Sequence, residues 1–79
     1  MESVKPYVSK AQQDVLRGLN NGEEIALNQG HYVTMKDGQV IKKLWPQTFG
    51  RLFDKGLVRR NENGNYIISD KGMACLSGI

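Results

Sequence analysis

The residues whose types and spacing could do chemistry lie between positions 42 and 63. Gln47, Thr48 and Arg51 fall on the polar side of a candidate helix, with Gly50 between them. Gln and Arg can each offer paired hydrogen bonds to a base edge, and an α-helix fits the major groove of DNA. Gly50 would let a helix backbone approach such a surface closely. Lys42, Lys43, Lys55, Arg59 and Arg60 supply cations suited to phosphate, with Asn63 in a turn beside them. The pattern therefore reads as contact with double-stranded DNA: bases at Gln47, Thr48, Gly50 and Arg51, phosphates at Lys42, Lys43, Lys55, Arg59, Arg60 and Asn63. The plain alternative is that these are the solvated positions of a small basic domain.

Other chemistries lack their residues. His31 and Cys75 are each the sole representative of their type, too few for a metal site. No nucleophile–base pair sits in a plausible local motif. The acids are scattered or fall in turns and caps, and the glycines do not take phosphate-loop spacing. No enzyme, cofactor or metal is expected. Cys75 reads as a small buried residue and His31 as a surface or half-buried one. A single cysteine rules out an internal disulfide and fits a reducing, cytoplasmic setting. No apolar run approaches the roughly 18 residues of a membrane span, and the first residues, from Met1 to Pro6, lack the apolar core of a signal peptide.

Charge is unevenly placed. The net value is +3. Residues 1–40 carry four Lys/Arg against five acids, and residues 41–79 carry seven against three, so the two parts stand at −1 and +4. Asymmetry of this sort points to one basic face.

The elements that must position these side chains are legible from periodicity. Residues 1–8 read as an arm, since Pro6 disfavours helix at Lys5; residues 9–79 read as one domain. Ser9 and Gln12 have capping-box spacing. Val8, Ala11, Val15, Leu16 and Leu19 make an apolar face for a helix over 9–20, stopped at Asn20-Asn21-Gly22. The period then changes. A strand is predicted at 24–27 and a hairpin at 31–35 and 39–43, turning at Asp37-Gly38; a short helix over 39–44 is the alternative. Pro46 suits the first turn of a helix over 46–55, whose apolar face reads as Trp45, Phe49, Leu52 and Phe53. A second hairpin spans 57–69. Its Asn63-Gly64 pair suggests a turn with two positive φ angles. Ser69 or Asp70 caps a last helix through Leu76.

The run Arg51-Leu52-Phe53-Asp54-Lys55-Gly56-Leu57-Val58-Arg59-Arg60 resembles the winged helix-turn-helix pattern R-L-x-x-K-G-L-V-x-R, where a recognition helix enters the wing. Ile68-Ser69-Asp70-Lys71-Gly72-Met73-Ala74-Cys75-Leu76 resembles the continuation L-[ST]-x-x-G-x-x-x-L. The layout is also similar to a small bacterial family named after the YjhX toxin, through its F-x-x-L-x-x-K-x-L piece at Phe49–Leu57. The resemblance implies an α+β, winged-helix-like domain: N-terminal helix, β-rich segment, recognition-type helix, β-hairpin wing and short C-terminal helix. It departs from the pattern at 23–44, where β structure replaces a full helix, and this leaves the DNA-docking geometry open. The implied function is a small bacterial or phage transcriptional regulator that binds DNA with helix 46–55 and the wing 57–69. The competing function is a protein-interaction module, a phage- or plasmid-type regulator or toxin that binds a host protein. A helix and one wing touch little DNA, which is compatible with a homodimer.

Overall fold

In the computed structural model, which describes residues 8–77, Ser9 opens the first helix by accepting the Gln12 N–H on its hydroxyl at 3.2 Å. This helix, α1 (Lys10–Asn20), buries Gln12, Val15, Leu16 and Leu19. It ends in a Schellman motif: the Glu23 N–H reaches the Gly18 carbonyl and the Gly22 N–H that of Leu19, both at 3.1 Å. The reciprocal half of the capping box is replaced by other bonds. The Gln12 side chain accepts from Lys55 instead, and Gln13 Nε2 donates to the Val8 carbonyl at 3.1 Å.

Strands follow: β1 (Glu24–Asn28), β2 (His31–Lys36) and β3 (Gln39–Lys43). The segment expected to be β-rich is so, and the short-helix alternative over 39–44 gives way to β3. Both tight turns have two positive φ angles, 53° and 81° at Gln29-Gly30, 55° and 79° at Asp37-Gly38. These match the twist of the strands they join. The β2–β3 ladder carries a bulge: Thr34 pairs with Lys42 and Met35 with Val40, so Ile41 is the extra residue.

Next comes α2 (Pro46–Asp54), then β4 (Val58–Arg60), β5 (Tyr66–Ile68) and α3 (Asp70–Ser77). The five strands form one antiparallel sheet in the order β3-β2-β1-β5-β4. Ile25 pairs with both Thr34 and Tyr66, and Val58 with Ile68, which places these residues on one face. Ile25, Val58 and Ile68 there join Val8, Leu16, Leu19, Phe49, Leu52, Leu57 and Cys75 from the helices and connections in one core. Val8, the last residue of the arm and the first of the apolar face of α1, is part of this core. The rest of that arm, residues 1–7, lies outside the described residues. Among the described residues no helix is long and apolar enough to cross a membrane.

The turn of the second hairpin differs from expectation. Of the Asn63-Gly64 pair only Gly64 has positive φ, at 86°. Asn61 is the reason. Its Oδ1 accepts the N–H groups of Asn63 and Asn65, both at 3.0 Å, and its carbonyl accepts that of Gly64 at 3.1 Å. One asparagine side chain thus closes a longer loop than a two-residue turn would need.

The corner from α2 into β4 is a second Schellman motif. Gly56 takes φ +73°, open to glycine at little cost. Its N–H donates to the Phe53 carbonyl and that of Leu57 to Leu52, each at 3.0 Å. Ser69 meets this corner: its hydroxyl donates to the Gly56 carbonyl at 2.6 Å and accepts the Gly72 N–H at 3.0 Å. The Ser69 N–H reaches the Leu57 carbonyl at 3.0 Å. Ser69, not Asp70, is therefore the residue that caps α3. A Cβ on Gly72 would fall on the Leu57 carbonyl oxygen and lie 2.8 Å from the Ile68 side chain.

Two substitutions test this packing by thermal melting. Leu52 is fully buried, so Leu52→Ala is expected to cost about 2–5 kcal/mol. Gly72→Ala is expected to destabilise although alanine is the better helix former, because backbone must move to admit it. A melting temperature at or above that of the unaltered protein for Gly72→Ala would contradict the close approach of α3.

Candidate nucleic-acid interface

Pro46 occupies the first turn of α2, so Trp45 is its N-cap and lies just outside the helix. A residue there does not follow the helical period. The Trp45 side chain, expected on the buried face, is instead 77% exposed. Only Phe49 and Leu52 of the four expected apolar positions are buried. Phe53 lies at the flank of the stripe, 53% exposed, with its ring 6.0 Å from those of Phe49 and Tyr66. Phe49 is the inward anchor, stacked on Tyr32 at 4.1 Å and edge-on to Tyr66 at 4.9 Å. These contacts seat α2 on β2 and β5 and turn its opposite side to solvent.

That outward side holds Gln47 and Arg51, both exposed, and Asp54. Gly50 is half-buried, and among the described residues nothing lies within 4 Å of the place a Cβ would occupy. A tight contact within the core, one reason for a glycine in mid-helix, is thereby removed. Thr48 turns toward α1 and lines a cleft of about 140 Å³ with Ala11, Asp14, Val15 and the stretch from Lys42 to Trp45.

The phosphate candidates separate into groups. Lys42 and Lys43 sit at the end of β3 beside the start of α2. Arg59 and Arg60 point to opposite faces of β4, opposite Ile67 and Tyr66 respectively. They border a surface depression of about 370 Å³ with Asn61, Glu62 and Asn63. The Arg60 guanidinium lies over the turn, 3.6 Å from where a Cβ on Gly64 would be. Lys55 is half-buried, and its Nζ donates to Gln12 Oε1 at 3.0 Å, which ties the end of α2 to α1. This lysine serves the packing of the two helices. Among the described residues no hydrogen bond or ion pair engages the side chains of Lys42, Lys43, Gln47, Arg51 or Arg59; the ion pair seen is Arg17 with Asp14 at 3.6 Å.

His31 is exposed at the start of β2, as a surface residue was expected to be, and Cys75 is buried. Among the described residues no cluster of His, Cys, Asp or Glu could hold a metal ion. The exposure of Trp45 has its signal in Pro46, which fixes the helix start one residue later. Comparisons with protein-family models, curated proteins and solved structures found no match.

The open space at Gly50 has a direct consequence. Gly50→Ala is expected to raise stability by about 1 kcal/mol through helix propensity alone, or roughly 4–8 °C in melting temperature for a domain of this size. A lower melting temperature would show a constraint on that position from within the chain.

Proposed function

We propose that this domain binds duplex DNA, with the outward side of α2 in the major groove and the β4–β5 hairpin beside it. The observation that carries the reading is the surface of α2. Among the described residues Gln47 and Arg51 are exposed with no hydrogen bond or ion pair, around a glycine that no packing between described residues requires. A helix weakened at its centre for no internal reason is explained if an external surface must come close. Gln47 and Arg51 then meet base edges, while Thr48, turned toward α1, stands aside from that contact. Lys42, Lys43 and one of Arg59 and Arg60 meet phosphates, with Asn63 at the tip of the hairpin.

The element order gives further support. The helix α1, the strand β1, the helix α2 and the β4–β5 hairpin come in the order these elements have in a winged helix, and β1 joins β5 in one sheet. The β2–β3 hairpin stands where that arrangement has a helix. On this reading the protein is a small cytoplasmic transcriptional regulator, and its limited contact surface favours action as a dimer. A protein-interaction role is the second reading, favoured by the exposed Trp45 and by Val40 and Ile41 on the edge strand.

Titration of mixed-sequence duplex at two salt concentrations tests the proposal. Affinity is expected to fall as salt rises. The double variant Arg59→Ala/Arg60→Ala is expected to weaken all sequences alike and to lower the log–log salt slope by about 0.9, the value for one phosphate contact. Arg51→Ala is expected to act on preferred sites, with about 1–3 kcal/mol of lost discrimination. Absence of measurable binding at about 50 mM salt, where phosphate contacts are strong, would overturn the proposal in favour of the protein partner.

A further inference from the structure

Trp45 stands between two clefts. One, of about 380 Å³, is lined by His31, Lys43, Leu44, Trp45 and Pro46. The other, of about 140 Å³, is the one shared with Thr48 and α1, and it too is lined by Lys43, Leu44 and Trp45. The indole therefore has open space beside it and no ring stacked on it among the described aromatic pairs. Exposure of 77% is unusual for the largest apolar side chain.

The rims of the clefts are cationic. Lys42 and Lys43 carry no ion pair among the described residues, and the one acid present, Asp14, is already beside Arg17 at 3.6 Å. A flat aromatic surface with two unpaired lysines at its edge complements a flat, anionic ligand. Val40 and Ile41, the exposed apolar residues of β3, line neither cleft.

We propose that Trp45 is a stacking platform for one unpaired nucleobase, with the adjoining phosphates held by Lys42 and Lys43. The inference rests on the nucleic-acid reading above and narrows its substrate to a duplex with an unpaired base at its margin, such as a junction or an overhang. Different side chains serve the two parts: Gln47 and Arg51 the duplex, Trp45 the unpaired base. Base–aromatic stacking of this kind tolerates any sequence, since every base has a π-face.

Trp45 is the only tryptophan in the chain, so its fluorescence reports the site alone. The test compares a blunt duplex with the same duplex carrying a short oligo-thymidine overhang on either the 5′ or the 3′ strand. Overhang DNA is expected to quench the emission more than blunt DNA and to bind more tightly. Trp45→Ala is expected to lose roughly tenfold in affinity for the overhang form, with blunt-duplex affinity and melting temperature unchanged because the side chain is exposed. Trp45→Phe is expected to recover part of the loss. Equal affinity and equal quenching for blunt and overhang DNA would overturn this inference while leaving the duplex reading intact. Binding of neither form would overturn both.

Discussion

The contact between the start of α3 and the corner that follows α2 is the constraint on which the rest of the domain depends. Gly56 turns the chain out of α2, Leu57 fills the core beneath it, and Ser69 bridges the Gly56 carbonyl to the Gly72 N–H. Gly72 lets α3 lie directly on the Leu57 carbonyl. The four residues come from two separate stretches, yet each answers a need of the other. The corner leaves a carbonyl to be satisfied, and the third helix leaves an N–H to be satisfied. One hydroxyl, which can donate and accept at once, does both. Since β4 and β5 lie between the two stretches, this contact also closes the hairpin at its base and sets where Arg59 and Arg60 emerge.

The remainder of the structure is joined to this unit through the common core, where α1 packs against α3 and β5, and through a few polar ties. β1 meets β5 through Ile25 and Tyr66, and Asn65 Nδ2 donates to Glu24 Oε1 at 2.9 Å. Lys55 Nζ reaches Gln12 on α1. A buried glutamine amide needs partners for its polar atoms, and Lys55 supplies one where the helix cap would otherwise have used it. The orientation of α2 follows from these ties together with the Tyr32–Phe49–Tyr66 cluster. It is a helix held from three sides, with its fourth side left to solvent.

Much of the order of elements is legible in the residues. Ser9, Gly22, Asp37-Gly38, Pro46, Gly56 and Ser69 each mark a boundary by a local mechanism: a cap, a turn or a fixed φ angle. The alternation through residues 23–44 identifies strands where a winged-helix pattern would place a helix. What escapes is decided by contacts distant in sequence. The strand order, with β1 beside β5, depends on which hydrophobic faces meet. The half-burial of Lys55 depends on Gln12, 43 residues away. The exposure of Trp45 was hidden by an assumed helical period that its N-cap position does not obey. The turn at Asn61 was misread because its side chain, and not the Asn-Gly pair, organises the loop. Among the candidate site residues, Gln47, Gly50 and Arg51 could be placed on the outward face from spacing alone, whereas the separation of Arg59 from Arg60 required the strand register.

The bulge in β3 has a consequence for how copies of this molecule coexist. β3 is an edge strand, and all five of its residues are exposed. A free edge is a template for pairing with another chain. Here the extra residue, Ile41, breaks the even spacing of backbone donors and acceptors and increases the local twist. Lys42 and Lys43 follow at once, so two such edges brought together would crowd like charges. The sheet is thereby ended rather than merely interrupted. An added hairpin that lengthens a small sheet carries at its own rim the irregularity and charge that keep it from recruiting a sixth strand and nucleating fibrils.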